Sequence, residues 1–290
     1  MMRRFIFFTT LAITLLAAVG EANLHAEQFA PPAGPTTAPA AIAAQPASQP
    51  DWIAAMRAVH ARFTGPAGTV AQYGDSITYS KAFFSALFWG EYKGEPKLAE
   101  FRKVVPQKCA DWKGVGHANM SGWTVEQVAD DINTALKAEN PEVALLMIGT
   151  NDLGRQADPA RKDFRTKLDH LVKAILANGT VVVLHTVPPR RGKMEAVEAY
   201  NKVIREVAVE NHVPLIDYCA EVLARRPTDW DGSLIGGDGV HPSFVDPYKA
   251  DFTDDGLNNS GYTLRNYLAV KMWHQIRAAL SATPPAGATK

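Results

Sequence analysis

The chain has no excess of charge: over 290 residues, 30 Lys and Arg balance 30 Asp and Glu. It also has no long basic run, so the electrostatic footprint of a nucleic-acid binder is missing. The short pairs Arg190-Arg191 and Arg225-Arg226 read as solvated loop charge. Cysteine is scarce. Cys109 and Cys219 are the only two, which permits at most one disulfide. No cluster of His, Cys, Asp and Glu has metal-ligand spacing and no Gly-rich phosphate loop is present, so no metal and no cofactor are expected. No internal repeat is visible. No apolar run reaches the ~20 residues that a membrane span needs.

The apolar run Phe5 to Val19 follows Arg3 and Arg4 and leads to the small residues Gly20 and Ala22. A basic, then apolar, then small-residue order is that of a secretory signal peptide, expected over residues 1–22. No cysteine lies near it to carry a lipid, and the two arginines lack the rest of a folded-export signal. The expectation is ordinary secretion, to the periplasm or outside the cell, with no stable membrane insertion after cleavage. Residues 23–50 are rich in Pro, Ala, Gln, Ser and Thr with no apolar period. Such a stretch cannot bury enough surface to offset chain entropy, and predicts a disordered linker. Residues 51–281 are expected to fold as one domain, for which a 47% hydrophobic composition supplies a sizeable core. Residues 282–290 read as a frayed tail.

Within the domain, strand and helix patterns alternate. Thr69 to Tyr73 is a short apolar strand ending at Gly74. Val143 to Ile148, closed by Gly149, and Thr180 to Val187, stopped by Pro188-Pro189, are continuous apolar runs. Val213 to Ile216 is a further short strand. Helical spacing marks Thr124 to Ala138, where Thr124 and Gln127 make a capping box. It also marks Phe164 to Ile175, ending at Asn178-Gly179, then Val197 to Val207, and a last helix from about Gly261 to Leu280. Strands apolar on both faces are buried on both faces. The fold class is therefore α/β, with a mostly parallel sheet between helix layers. Ligands bind such sheets beyond the C-terminal strand ends.

Polar residues gather at three places there. The first strand runs into Gly74-Asp75-Ser76-Ile77, the central strand into Gly149-Thr150-Asn151-Asp152, and Asp238-Gly239-Val240-His241-Pro242 precedes the last helix. Each alone is ordinary: a turn, a helix cap, a surface pair. Their joint occurrence in this order, at strand ends, is not. Together with Asn119-Met120-Ser121-Gly122-Trp123-Thr124, these blocks resemble those of the SGNH hydrolases, the group containing the GDSL lipases and esterases. The resemblance runs from about Thr69 to Leu280. Ile77 stands where the GDSL name has leucine, a common variation.

The resemblance implies a three-layer α/β/α flavodoxin-like sandwich with a mostly parallel five-stranded sheet. It implies a serine ester hydrolase in which Ser76 is the nucleophile, His241 the base that activates it, and Asp238 the group that orients His241. The oxyanion donors it implies are the backbone N–H of Ser76, the backbone N–H of Gly122 and the Asn151 side chain. Asp75 and Asp152 read as residues that bond turn backbone. Trp123, His117 and His185 are candidate substrate contacts, with His185 also readable as a satisfied core histidine. His60, His170, His212 and His274 look like helix or loop residues. The family's strand order puts Cys109 and Cys219 at opposite sheet edges, which predicts two unpaired thiols.

The aromatic stretch Lys81 to Trp112, with Phe83, Phe84, Phe88, Trp89, Tyr92 and Trp112, fits either a helix packed on the core or a cleft wall. Ser243 to Asn259 reads as a loop bordering the cleft. The expected substrate is a small acyl ester or an acetylated glycan. Longer-chain lipase, lysophospholipase or thioesterase activity, acyl transfer between sugars, and a silent glycan-binding module are the alternatives. The intact Ser76, Asp238 and His241 set argues against the last. Oligomeric state is not legible.

Overall fold

The computed structural model describes residues 52–104, 117–154, 158–246 and 249–281. The segments expected as signal peptide, linker and tail lie outside these, as do Cys109, Trp112 and the strand expected after Pro106. In chain order the elements are α1 (Trp52–His60), β1 (Val70–Gly74), α2 (Ser76–Tyr79), α3 (Ser85–Trp89), β2 (Glu91–Lys93), a 3₁₀ turn (Pro96–Glu100) and α4 (Phe101–Val104). They continue as α5 (Val125–Glu139), β3 (Val143–Met147), α6 (Asp158–Ala177), β4 (Val181–His185), α7 (Met194–Glu210), β5 (Leu215–Ile216), α8 (Tyr218–Arg225), β6 (Lys249–Asp251), α9 (Asp254–Asn259) and α10 (Gly261–Ser281).

The main sheet has the order β1-β3-β4-β5 and is parallel throughout. Every residue of β1, β3 and β4 is buried, which is why these strands read as unbroken apolar runs. The outer edge of β1 is flanked by Ala118–Met120. Gly74 N–H donates to Ala118 O at 2.9 Å and Met120 N–H donates to Gly74 O at 3.3 Å. With that segment counted second, the order is 2-1-3-4-5, the flavodoxin-like arrangement. Helices α5, α6 and α7 pack on one another and on β1 and β4. On the opposite face α1 and α10 pack together and reach β4 and β5. The result is a three-layer α/β/α sandwich. Among the described residues no helix is long and apolar enough to cross a membrane.

Local chemistry explains the elements around the site. Helix α5 starts where Thr124 N–H donates to Gln127 Oε1 at 2.7 Å, and buries Val125, Val128, Ile132, Ala135 and Leu136. Helix α6 buries Phe164, Leu168, Leu171, Val172 and Ile175, the face its spacing predicts. It is followed by Gly179 at φ +82°, where a Cβ would lie 2.7 Å from Phe63 N.

Two segments depart from the sequence reading. Ser243 to Asn259 is not simply a loop. Its Lys249–Asp251 pairs in parallel with Glu91–Lys93 as a separate two-stranded sheet, and helix α9 follows. Thr253 Oγ1 caps α9 by accepting from Gly256 N–H, and Asp254 and Asp255 sit in its first turn, where their charge suits the helix dipole. The aromatic segment is largely core. Phe83, Phe84 and Phe101 are buried, with ring centroids 4.3 Å apart for Phe83–Phe84 and 5.2 Å for Phe84–Phe101.

Candidate active site

The Ser76 turn is shaped by glycine and an aspartate cap. Strand β1 ends at Gly74, φ +153°, where a Cβ would lie 2.1 Å from Met147 O and 2.7 Å from Thr78 Oγ1. Only glycine allows so close a crossing of β3 before the chain turns. Asp75 then caps α2, its Oδ1 accepting from Ile77 N–H at 3.0 Å. Ser76 is the first residue of that helix and is half-buried. Its N–H is one of the orphan donors of a helix start.

Helix α10 supports this turn from below. Tyr262 Oη donates to Ile77 O at 3.0 Å. The fully buried Arg265 donates to Ile77 O and to Thr78 Oγ1, both at 2.8 Å, and stacks over Phe83 at 3.7 Å. Burial draws the Arg265 guanidinium down to about 10, against the raising effect of Tyr262, Tyr218 and Asp75. Burial also lifts the Asp75 carboxyl to about 6, over the opposing pull of Ile77 N–H and Arg265. The sequence reading missed Tyr262 and Arg265. Their three-residue spacing, continued through Ala269, Trp273 and Ile276, places them on the buried face of the last helix.

The Asp238–His241 turn meets Ser76 from the other side. His241 Nε2 lies 2.8 Å from Ser76 Oγ, and His241 Nδ1 lies 2.6 Å from Asp238 Oδ2. Asp238 Oδ1 accepts from the N–H of Val240 at 2.9 Å and of His241 at 3.0 Å. Burial opposes ionisation of Asp238, but the His241 hydrogen bond and these two N–H groups together hold its carboxyl down at about 2. An ionised carboxylate only accepts, so Nδ1 carries the proton and Nε2 is the acceptor for Ser76 Oγ–H. The turn closes on itself through Gly236 N–H to His241 O and Gly239 N–H to Gly236 O, both 2.8 Å. It is tied to α10 by Gly261 N–H to Ser243 Oγ at 3.1 Å and Tyr262 N–H to Ser243 O at 2.9 Å.

The second and third blocks are bonded to each other. Asn151 Nδ2 donates to Trp123 O at 2.8 Å, which leaves the second amide hydrogen available. Asp152 accepts from Val125 N–H at 3.2 and 3.4 Å and so helps to cap α5. Gly122 is exposed at φ +82°, with open space where a side chain would be.

The other candidates are scattered. Trp123 is half-buried and packs against the core. His117 is partly exposed, with Nδ1 3.6 Å from Asp131 Oδ2. His185, at the end of β4, is 1% exposed, and neither ring nitrogen has a hydrogen-bond partner among the described residues. It is thus buried but not a satisfied core histidine. Burial, aided by Arg265, pushes its pKa well below the usual value, which keeps the ring neutral. Cys219 is a buried free thiol that burial pushes up to about 12. All four residues of the two arginine pairs have hydrogen-bond partners, although Arg191 stays 53% exposed on its loop. Arg190 and Arg191 bond to the turns of the site, while Arg225 and Arg226 bond Asn258, Asn259 and Asp229. Among the described residues no group of three His, Cys, Asp or Glu side chains could hold a metal ion.

No curated protein matches the chain by sequence. Among solved structures, the lipase/acylhydrolase from Enterococcus faecalis superposes with a TM-score of 0.50 at 22% identity, over 74% of this chain and 98% of its own. A variant of an acetyl-xylooligosaccharide esterase from Geobacillus stearothermophilus gives 0.50 at 17% identity, over 72% and 95%. These likenesses establish a shared fold. The sequence profile of the GDSL-like lipase/acylhydrolase family matches residues 73–244, a span that opens on the Ser76 turn and closes just after His241. The chain therefore belongs to the GDSL-like lipase/acylhydrolase family and is an ester hydrolase.

Proposed function

We propose that the protein is an exported serine esterase that removes small acyl groups, O-acetyl foremost, from a carbohydrate through an acyl-enzyme on Ser76. The observation that carries this reading is the 2.8 Å contact of Ser76 Oγ with His241 Nε2, backed by Asp238 at 2.6 Å from Nδ1. His241 takes the Ser76 proton as Oγ attacks the ester carbonyl. Asp238 keeps the ring in the required tautomer and balances the imidazolium that forms. The N–H groups of Ser76 and Gly122 and the free amide hydrogen of Asn151 stabilise the oxyanion. His241 then protonates the leaving alcohol, and the acyl-enzyme is cleared by the same steps in reverse with water as the attacking group.

An open site favours a bulky alcohol. The side chains of His241 and Asp238 are 39% and 52% exposed, so a polymer can lie across them. Trp123, half-buried beside Gly122, is the aromatic side chain proposed to meet a sugar ring. The acetyl-xylooligosaccharide esterase of the same fold acts on this substrate class. Arg3-Arg4 and the apolar run Phe5–Val19 support export.

One observation favours a longer-chain ester as the second reading. Exposed apolar side chains lie in or beside two of the blocks: Met120 within the Asn119–Thr124 block, and Phe244 and Val245 just after His241. A rate series of aryl esters from acetate to decanoate, run beside acetylated xylan and pectin and beside Ser76→Ala, separates the readings. The expected peak is at acetate, with deacetylation of a polysaccharide. A peak at long chains would overturn the carbohydrate reading. Full activity in Ser76→Ala would overturn the mechanism.

A further inference from the structure

The dipeptide Arg190-Arg191 follows β4 after the buried Pro188 and Pro189. Its two side chains reach two different blocks of the site. Arg190 Nη1 donates to Thr150 O at 2.7 Å, the carbonyl immediately before Asn151. Arg191 holds the turn that carries Asp238. Its guanidinium donates to both carboxylate oxygens of Asp231, at 2.6 and 2.8 Å, and to Gly237 O at 3.2 Å. Its backbone N–H donates to Gly239 O at 2.9 Å. Gly239, φ +71°, tolerates no side chain, since a Cβ there would lie 2.6 Å from Arg191 Cβ.

Gly237 and Gly239 are the residues on either side of Asp238. The Arg191 contacts therefore fix the backbone before and after the carboxylate that orients His241. The segment needs such fixing, because two glycines precede Asp238, a third follows it, and the side chain is half exposed. A single exposed ion pair does little for stability. A planar fork that grips a carboxylate and a backbone carbonyl together defines a geometry that one charge alone does not.

We infer that Arg190 and Arg191 are positioning residues that hold the Asn151 turn and the Asp238–His241 turn in register around Ser76. The inference rests on the catalytic roles proposed above for those residues. It adds that the loop after β4, which supplies no reacting group, sets the spacing between oxyanion donor and base. A misplacement of about 1 Å at such a site costs up to roughly 100-fold in rate.

The test uses the full chain with an aryl acetate. Arg190→Ala and Arg191→Ala are each combined with Asn151→Ala and with Asp238→Asn, and kcat, KM and the thermal midpoint are measured. Each single variant should lower kcat roughly 10- to 100-fold with KM within about twofold of the parent. Coupling should be selective: Arg190→Ala non-additive with Asn151→Ala, and Arg191→Ala non-additive with Asp238→Asn, while the crossed pairs add. Selective coupling is the readout that general loosening of the fold would not produce. If an alanine variant does not fold, Arg190→Lys and Arg191→Lys keep the charge and lose the fork, and should show smaller losses in the same pattern. Unchanged kcat, or losses that add equally in all four pairs, overturns the inference. Ser76→Ala run alongside keeps the two readings apart, because an inactive Ser76→Ala beside fully active arginine variants rejects the positioning role alone.

Discussion

Ser76 Oγ and His241 Nε2 lie 2.8 Å apart across 165 residues of sequence. One helix accounts for much of that meeting. The first turn of α10 bonds Ser243, two residues after His241, through Gly261 and Tyr262. The Tyr262 side chain, with Arg265 three residues on, also holds Ile77 O, one residue after Ser76. The Ser76 turn and the His241 turn are thus fastened to the same helix.

Asp238→Asn should separate catalysis from loop structure. An asparagine Oδ1 can still accept from Val240 and His241 N–H, so the turn should persist. The group facing His241 Nδ1 loses its charge, and the ring is free to adopt the wrong tautomer. The expected result is a fall in kcat of roughly 100- to 10,000-fold with KM little changed. In the parent, Asp238 stays ionised down to about pH 2, so any loss of activity between pH 7 and pH 4 belongs to other groups. A parent-like kcat for the asparagine variant would refute the orienting role.

Asp75 makes stability depend on pH. Burial raises its folded pKa to about 6, above the ordinary carboxylate value of 3.8. The folded state therefore binds the proton more tightly. The associated stability is fully present below about pH 3.8 and is lost as pH rises through about 6. The difference between about 6 and 3.8 corresponds to about 3 kcal/mol at most. Asp75→Asn keeps the Ile77 cap and removes the buried charge. Urea unfolding should show the variant more stable than the parent at pH 8, with the difference vanishing near pH 4. A difference that does not vary with pH would count against this account.

How much of this was legible in the sequence depended on where each residue's partner lies. Val143–Met147 and Val181–His185 were readable because burial on both faces leaves an unbroken apolar run. The start of α5 was readable because Thr124 and Gln127 carry their own cap. The Ser76 and Asn151 blocks were legible as polar segments directly after β1 and β3, whereas the Asp238–His241 block follows α8 rather than a strand and was picked out by its resemblance to a family motif. The pairing of Glu91–Lys93 with Lys249–Asp251 was not, since both strands are short, largely polar and have no period. Helix α9 was hidden by acidic residues that read as loop but serve its first turn. The partners of Arg190 and Arg191 were hidden because two of their acceptors are backbone carbonyls, Thr150 O and Gly237 O, and a sequence does not display where carbonyls point.

Arg265→Met tests the support beneath the Ser76 turn. The methionine keeps an apolar stem against Phe83 and removes the donors to Ile77 O and Thr78 Oγ1. Two buried acceptors lose a charged partner, which costs roughly 3 kcal/mol in all. Denaturant unfolding should register that loss, and kcat should fall because the turn bearing Ser76 is less well held. A loss below about 1 kcal/mol would mean that Tyr262 alone suffices.

Asn151 gives the sharpest division between binding and rate. One amide hydrogen is committed to Trp123 O at 2.8 Å, which fixes the side chain's direction and leaves the other hydrogen for the oxyanion role proposed for it. Asn151→Ala removes both. Losing the Trp123 contact should lower stability by about 1 kcal/mol. Losing an oxyanion donor should lower kcat by roughly 100- to 1,000-fold, with KM nearly constant, because that hydrogen bond strengthens only as charge develops. Asn151→Asp should be worse still, since a carboxylate would face both Trp123 O and the developing oxyanion with acceptors alone. If Asn151→Ala retained kcat within about threefold while binding substrate normally, the oxyanion would have to be held by the Ser76 and Gly122 N–H groups without a side chain.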